Sequence, residues 1–209
     1  MGTCRHVDLL LIRHGITQWN QDKRYLGHTD QGLLHSELPI LDGLKSELKL
    51  RKFDHIFTSD LKRCLETFHY FDFQQEPILD HRLREMNFGD WEGKTYTELK
   101  DMQTYRNWLD NWELAPVPNG ESAPIFKARI DSFFHELFHD IDTQKETQKI
   151  LIITHGGVIR YTVSKYVSSS SFWNVSITHG QGLQISFEKK EGEWRCSSLS
   201  EVLSQEKEK

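Results

Sequence analysis

Cysteine and long apolar runs are both scarce in this sequence, and each scarcity excludes a class of protein. The three cysteines, Cys4, Cys64 and Cys196, are too few, too scattered and odd in number for a disulfide framework. No apolar run approaches the length of a membrane-spanning helix, and the N-terminus lacks the apolar core of a signal peptide. The sequence therefore predicts a soluble protein of the reducing cytoplasm with no membrane partner.

Positive charge is also in deficit. The chain of 209 residues has 26 Lys and Arg against 31 Asp and Glu, a formal net charge of -5 at pH 7. This balance disfavours a nucleic-acid partner, and an anionic substrate would need a local basic pocket. Because 37% of the residues are hydrophobic, the chain can bury a sizeable core. We expect residues 1–209 to form one α/β domain with a small excursion at about 95–120.

Two apolar runs are each followed by one further residue and then a histidine. Leu9–Ile12 is followed by R-H-G, which contains Arg13 and His14, and Ile150–Ile153 is followed by T-H-G-G. Runs of this length are typical of strands buried on both faces of a parallel sheet, and ligands bind beyond the carboxyl ends of such strands. If the two strands are neighbours, His14 and His155 converge at one edge of the sheet together with Arg13.

The remaining periodicity predicts helices that alternate with strands. Amphipathic patterns predict helices over about 36–48, 61–71, 122–141 and 156–167, and apolar stretches predict further strands at about 54–59, 77–81, 182–188 and 194–199. Residues 95–120 are aromatic and acidic and predict two short helical stretches, which we interpret as a cap. The predicted fold class is α/β, a three-layer α/β/α sandwich with a mostly parallel central sheet and a small helical cap excursion.

The residues at the two strand ends suit the handling of a phosphoryl group. Arg13 and Arg63 can grip its oxygens bidentately, and His155 adds a further donor. The helix that begins at Gly156 adds free backbone N–H groups, so the chemistry requires no metal. A neutral imidazole nitrogen is also a competent nucleophile that can form a phosphohistidine. The departing alkoxide needs a proton, and Glu85, in a glycine-rich loop, is the best-placed carboxyl.

One zinc signature, that of a metalloprotease, competes with this interpretation. The residues from His135 to His139 read H-E-L-F-H, a formal H-E-x-x-H pattern that places two histidines on one helical face. The same face carries Asp131 and lies opposite a stripe of phenylalanines. We interpret it as the solvated side of an amphipathic helix and expect no metal. Apart from His14 and His155, the remaining histidines are interpreted mostly as surface residues.

Several distinct motifs occur in a fixed order along nearly the whole chain. They are R-H-G from Arg13, Asn20, Gly27, S-D-L-K-R from Ser59, R-E-M-N-F-G-D-W-E-G from Arg84, N-G-E-S from Asn119 and T-H-G-G from Thr154. Taken jointly, these motifs resemble the histidine phosphatase superfamily, the group that includes the cofactor-dependent phosphoglycerate mutases. The fold of that superfamily is a mostly parallel sheet between helices, which agrees with the fold predicted above.

The resemblance also implies roles for particular residues. By this likeness His14 is the phosphorylated nucleophile, and Glu85 is the proton donor and acceptor. Three further side chains are implied to bind the phosphoryl group: Arg13, Arg63 and His155. Possible substrate contacts are Asn20, Gly27 and Gly156. The chain departs from the family pattern at Ile16 and around 32–37, and neither departure touches the predicted phosphoryl pocket.

Within the superfamily, the pattern is most similar to the α-ribazole phosphatases, which remove the 5′-phosphate from a nucleotide-loop precursor in cobalamin assembly. The likeness rests on E-M-N-F-G-D-W-E from Glu85, on P-V-P-N-G-E and on G-Q-G-L. It implies a small phosphate monoester as substrate and no cofactor, and it leaves a homodimer open. Two alternatives also stay open: a broad-specificity sugar-phosphate or phosphoglycerate phosphatase or mutase, and a non-catalytic phosphate-binding module.

Overall fold

The apolar runs of the sequence form the centre of a sheet in the computed structural model, which describes residues 5–141, 147–167 and 170–202. Within these ranges six strands pair in one sheet: β1 (His6–Arg13), β2 (His55–Thr58), β3 (Ile78–Leu79), β4 (Gln148–Thr154), β5 (Gly182–Lys190) and β6 (Glu193–Val202). The α-helices of the same ranges are α1 (Gln18–Gln21), α2 (Asp42–Leu48), α3 (Lys62–Phe71), α4 (Tyr96–Leu99), α5 (Gln103–Asp110), α6 (Ala123–Ile141) and α7 (Gly156–Tyr166). Short 3-10 helices cover His35–Leu41, His81–Leu83 and Gly89–Trp91.

The order of the strands brings the two histidine-terminated runs together. The sheet runs β3-β2-β4-β1-β5-β6, in which the first four strands are parallel and β5 and β6 are antiparallel to their neighbours. Strands β1 and β4 are central neighbours, and Arg13 is paired with Thr154 in their register. The next residues of the two strands, His14 and His155, therefore leave the sheet side by side at its carboxyl edge.

Alternate residues of the central strands face opposite helical layers. Leu9 and Leu11 belong to a core that includes side chains of α6 and α7, whereas Leu10 and Ile12 belong to a second core with α2 and α3. All four side chains are at most 2% exposed, because both faces of the sheet are covered. The predicted fold class is confirmed, since helices flank a mixed, mostly parallel sheet.

The helix predicted over 36–48 is divided into two parts. The chain forms a 3-10 helix over His35–Leu41, and the α-helix begins only at Asp42. Pro39 lies inside the 3-10 segment, where its missing N–H and its ring oppose regular α-helical hydrogen bonds. Leu44 and Leu48 are still buried. The periodicity therefore predicted the buried face correctly but the type of helix in the first half wrongly.

Residues 95–120 contain the two predicted short helices, α4 and α5. A capping box begins α4, in which Thr95 and Glu98 each accept from the backbone N–H of the other. Helix α5 buries Tyr105 and Trp108, whose ring centroids lie 5.3 and 5.4 Å from that of Trp91. These aromatic contacts attach the segment to the body of the protein.

Helix length and the state of the cysteines complete the description of the fold. In the part of the chain that the structure describes, no helix is both long and apolar enough to cross a lipid bilayer. Cys64 and Cys196 are free thiols, and Cys4 lies outside the described residues.

Candidate active site

The His14 and His155 imidazoles lie next to each other beyond the ends of β1 and β4. Their ring centroids are 5.0 Å apart with an interplanar angle of 64°. The His14 backbone N–H donates to the Thr154 carbonyl at 3.0 Å, which extends the pairing of the two strands by one residue. The convergence predicted from the sequence is therefore present in the structure.

The hydrogen-bond partner of His14 determines which of its ring nitrogens can react. Nδ1 lies 2.6 Å from the Gly15 carbonyl oxygen. A carbonyl can only accept, so Nδ1 carries the hydrogen and Nε2 carries the lone pair. Burial, followed by the nearby charges of Arg63, His179 and Arg13, holds the pKa of His14 well below its ordinary value of 6.5. The imidazole is therefore neutral at neutral pH, as a nucleophile must be.

His155 is arranged in the opposite way. Its Nδ1 accepts from Nε of Arg63 at 3.2 Å, and a guanidinium can only donate. The hydrogen of the neutral ring is then on Nε2, which donates to the Ser59 hydroxyl at 2.9 Å, with the Cys64 sulfur 3.5 Å away. Burial, then the charge of Arg63, lowers the pKa of His155 well below 6.5. Both ring nitrogens of His155 are therefore engaged within the protein.

Arg63 lies in the first turn of α3 and is fully buried. Its Nη2 donates to the Gly27 carbonyl at 2.6 Å and its Nη1 to the Thr29 carbonyl at 3.0 Å. The same loop supports the start of the helix, because the Asp30 carboxylate accepts from the Lys62 backbone N–H at 2.7 Å. Burial lowers the pKa of Arg63. The loop thus orients the guanidinium and supports the helix that carries it.

Gly27 and Glu92 hold this loop against the neighbouring chain. A Cβ at Gly27 would lie 2.2 Å from the Met86 carbonyl oxygen, so the close approach of the two segments requires glycine. The Glu92 carboxylate accepts from the backbone N–H groups of His28 and Thr29 at 2.7 and 2.6 Å. In this structure Gly27, a predicted substrate contact, offers its carbonyl to Arg63.

Arg13 reaches the site from the last position of β1. Its Nη1 donates to the Ile177 carbonyl at 2.8 Å, while its Nε is buried and has no hydrogen-bond partner in the described residues. Burial, opposed by the charge of Glu85 and reinforced by that of Arg160, lowers the pKa of Arg13 to about 10. Arg13 therefore keeps its positive charge, and its Nε is a buried donor that the described residues leave unsatisfied.

Glu85 is held by two backbone donors. Its carboxylate accepts from the N–H groups of Met86 and Gly157, each at 2.9 Å. A Cβ at Gly157 would lie 2.2 Å from the carboxylate oxygen Oε1, so this glycine allows Glu85 to approach the first turn of α7. Gly156 plays a related part for Arg13, since its Cβ would lie 3.2 Å from the guanidinium carbon.

The loop that carries Glu85 is attached to α6 through Arg129. The guanidinium donates to three backbone carbonyls, those of Arg82, Arg84 and Glu85, at 2.6–2.8 Å. It also forms a bidentate pair with Glu121, at 2.7 and 2.9 Å. Arg129 was not singled out from the sequence, and Gly157 was noted there only as one of the two glycines of T-H-G-G.

Asn20 is turned toward its own helix. Its side-chain oxygen lies 3.2 Å from the Thr17 backbone N–H, and the Thr17 hydroxyl accepts from the Asn20 backbone, which forms a capping box at the start of α1. Its role as a substrate contact stays a prediction.

His179 is a site residue that the sequence interpretation missed. It was grouped with the surface histidines, but its ring centroid lies 5.1 Å from that of His14 and its Nδ1 lies 3.1 Å from the His14 carbonyl. Burial, followed by the charge of Arg13, lowers the pKa of His179 to about 4. A signal for it exists in the topology: β5 is antiparallel to β1, so the residues before β5 lie at the carboxyl edge.

The H-E-x-x-H pattern lies on the outer face of α6. His135 and His139 are exposed, and Glu136 accepts from Nη1 of Arg82 at 2.6 Å. Among the described residues, no group of three or more His, Cys, Asp or Glu side chains could hold a metal ion. Asp131, on the same face, instead accepts from the Tyr161 hydroxyl at 2.7 Å.

A cavity of about 260 Å³ opens beside Glu85. Its walls are mostly aromatic and include Trp108, Trp112, Phe172 and Trp173. Glu85 and Gly157 form part of its wall. The cavity is therefore available to a leaving alcohol whose oxygen lies near the Glu85 carboxylate.

A neutral imidazole beside two guanidinium groups, at the carboxyl edge of an α/β sheet, defines a class of enzyme that transfers phosphoryl groups. The chain belongs to the histidine phosphatase superfamily (branch 1), whose family model matches residues 9–201. It is accordingly a phosphatase or mutase of that superfamily.

Individual relatives are similar over most of their length. The adenosylcobalamin/alpha-ribazole phosphatase of Salmonella typhimurium is 28% identical over 179 residues, which cover 82% of this chain and 86% of the relative. A 2,3-bisphosphoglycerate-dependent phosphoglycerate mutase of Bartonella tribocorum is 32% identical over 163 residues, which cover 73% and 77%. The crystal structure of the alpha-ribazole phosphatase of Shigella flexneri superposes with a TM-score of 0.78 at 28% identity, covering 92% of this chain and 95% of the other.

Proposed function

We propose that this protein is a metal-independent phosphomonoesterase that acts through a phosphohistidine on His14. The observation that carries the proposal is the state of that ring: the Gly15 carbonyl holds the hydrogen on Nδ1, and the depressed pKa keeps the lone pair on Nε2. The charges of Arg63 and Arg13 that depress this pKa are also those that would attract a phosphoryl group.

The proposed reaction has two steps. In the first, Nε2 of His14 forms a bond to phosphorus, the bond from phosphorus to the alcohol oxygen breaks, and Glu85 protonates that oxygen. The ring then carries a positive charge, which the Gly15 carbonyl stabilises through Nδ1–H. In the second, Glu85 takes a proton from water, the water oxygen bonds to phosphorus, and the bond to Nε2 breaks. Phosphate leaves, and both side chains return to their first state.

The other charged groups stabilise the phosphoryl oxygens. Arg13 and Arg63 bind them in this proposal, because both are cationic and the buried Nε of Arg13 has no partner in the described residues. His155 acts on the phosphoryl group through Arg63, whose Nε it orients. Direct donation from His155 would require Nε2 to leave the Ser59 hydroxyl.

For the substrate, we propose α-ribazole 5′-phosphate. Two relatives named above bear the α-ribazole phosphatase name at 28% identity. The aromatic walls of the cavity beside Glu85 suit a flat benzimidazole ring. The segment from residue 94 to residue 121 contains three basic and five acidic residues. This excess of negative charge disfavours binding of the doubly phosphorylated intermediate of a mutase.

The phosphoglycerate reaction is the second candidate, because the mutase of Bartonella tribocorum is 32% identical. A comparison of kcat/KM for α-ribazole 5′-phosphate, 3-phosphoglycerate and 4-nitrophenyl phosphate separates the two. We expect every substrate that is turned over to release inorganic phosphate, and kcat/KM to be highest with α-ribazole 5′-phosphate. Enzyme quenched during turnover should contain an acid-labile, base-stable phosphohistidine. Phosphoryl transfer between glycerate positions would favour the mutase. Phosphate binding with neither turnover nor phosphohistidine would instead support the binding module.

A further inference from the structure

The cavity beside Glu85 is built from separated parts of the chain. Trp108 and Trp112 belong to α5 and the residues just after it, and Phe172 and Trp173 follow α7. The rings of Trp112 and Phe172 are stacked with centroids 4.3 Å apart. Trp173 is 54% exposed, so it presents apolar surface that the protein itself does not cover.

One cation lines this otherwise mostly apolar cavity. Arg160 is a lining residue, and its Nε is buried without a hydrogen-bond partner in the described residues. Nor does its guanidinium form an ion pair with any carboxylate of those residues. Buried donors are nearly always satisfied, because an unpaired one loses the free energy of its bond to water. The guanidinium of Arg160 therefore lines the cavity with no acceptor from the described residues, and a bound molecule can supply one there.

The position of Arg160 in α7 places it on the catalytic side of that helix. It follows Gly156 by four residues and Gly157 by three, and residues at these spacings share a helical face. The two glycines face Arg13 and Glu85. The charge of Arg160 is also felt at Arg13. Arg160 therefore lies near both the phosphoryl pocket and the group proposed to protonate the leaving oxygen.

We propose that Arg160 is a specificity-determining residue whose guanidinium donates to an oxygen acceptor on the leaving alcohol. The ring of that alcohol lies against the aromatic walls of the cavity. The inference rests on the proposed function, in which the leaving oxygen is next to Glu85 and the rest of the alcohol must occupy the adjoining space. The substrate class is thus a phosphate monoester whose alcohol carries both a flat ring and an oxygen acceptor.

The test compares substrates that differ in the acceptor. Phenyl phosphate has a ring and no further acceptor, the three carboxyphenyl phosphates add a carboxylate, and α-ribazole 5′-phosphate adds neutral ribose oxygens. For Arg160→Met, we expect kcat/KM to fall roughly 10- to 100-fold with acceptor-bearing substrates and less than about threefold with phenyl phosphate. Arg160→Lys should retain part of the preference. A loss confined to the carboxyphenyl phosphates identifies a charged acceptor, and a loss confined to α-ribazole 5′-phosphate a neutral one.

Arg106→Met is the matched control, because it removes the same charge from α5, where Arg106 pairs with Asp101 on the surface. It should leave the ratios between substrates unchanged. An equal fall in kcat/KM for phenyl phosphate and the other esters in Arg160→Met would overturn the proposal. Thermal unfolding is measured on both Arg160→Met and Arg160→Lys, so that a fall in kcat/KM caused by misfolding is recognised by a lowered Tm. Phosphohistidine on His14 is scored in wild type, so its absence would refute the proposed function independently of Arg160.

Trp173→Ala tests the aromatic wall separately. Because Trp173 is more than half exposed, its truncation leaves the core intact. We expect KM to rise roughly three- to tenfold for the aromatic esters and to stay unchanged for glycerol phosphate. An equal change in KM for glycerol phosphate would contradict the placement of the ring in this cavity.

Discussion

The ends of β1 and β4 are nearly identical in sequence and opposite in chemistry. Each has a four-residue apolar run, one further residue, a histidine and a glycine. His14 donates from Nδ1 to the carbonyl that follows it, which leaves the lone pair on Nε2. His155 accepts from Arg63 at Nδ1 and donates from Nε2 to Ser59. The partners of the ring, rather than the strand pattern, distinguish the proposed nucleophile from the residue that supports it.

The largest expected effect comes from His14. His14→Ala should lower kcat by roughly 10³-fold or more, since it removes the atom that bonds to phosphorus. It should also abolish the phosphohistidine, measured by acid-labile label after a quench with radiolabelled substrate. If the label persists in His14→Ala and is lost in His155→Ala, the assignment of the two histidines is reversed.

His155 should show a smaller effect. His155→Ala should lower kcat about 10²-fold, because Arg63 loses the acceptor that orients it, but the phosphohistidine should still form. His155→Gln is the matched variant: an amide oxygen can accept from Arg63 while its NH₂ donates to Ser59. We expect glutamine to restore part of the lost rate. Equal activities of the two variants would show that these hydrogen bonds do not matter.

The glycines after His155 should differ from each other. Gly157→Ala places a Cβ 2.2 Å from the end of the Glu85 side chain, whereas Gly156→Ala meets Arg13 at 3.2 Å. Because the Glu85 carboxylate is at the end of a flexible side chain, Gly157→Ala should displace it rather than unfold the protein. We expect kcat to fall about tenfold for an alkyl phosphate, with less effect on 4-nitrophenyl phosphate, whose leaving group needs no proton. A fall of equal size for both esters would argue against proton donation by Glu85.

The smallest effect concerns stability and pH. The pKa of His155 is held well below 6.5 in the folded protein, so the unfolded chain binds more protons as pH falls below 6.5, and the free energy of unfolding decreases. His155→Gln should flatten this dependence between pH 6.5 and 5 by at most about 1.4 kcal/mol per pH unit. Urea unfolding at several pH values measures it. His135→Gln, at an exposed histidine, is the control, and an identical slope in both variants would contradict the buried neutral state.

The convergence of the ends of β1 and β4 was largely predictable, because strand ends are the strongest signal in an α/β sequence. Two apolar runs ending in His14 and His155 are sufficient to bring both histidines to one edge. In the sequence Arg63 falls outside the apolar spacing of Leu61, Cys64, Leu65 and Phe68, yet it is fully buried. Helical periodicity describes what a helix presents to its own layer. Periodicity within one helix cannot predict that a loop distant in sequence, here residues 27–30, covers Arg63.

Other parts of the site depend on contacts between segments that no local pattern records. His179 precedes a strand instead of following one, and only the antiparallel direction of β5 reveals its position. Gly157 is required by the carboxylate of Glu85, 72 residues earlier in the chain. Arg160 looks like an ordinary surface arginine of an amphipathic helix until the aromatic residues after α7 are placed beside it. The positions of His179, Gly157 and Arg160 in the site therefore depend on packing between segments that are distant in sequence.

The attachment of the Glu85 loop to Arg129 has an entropic consequence. An irregular loop ordinarily samples many backbone conformations, and restricting them for catalysis would cost free energy in every turnover. Here three carbonyls of the loop are bound to one guanidinium on a 19-residue helix. The loss of conformational freedom therefore occurs once, when the chain folds, and the carboxylate is already in place when a substrate arrives.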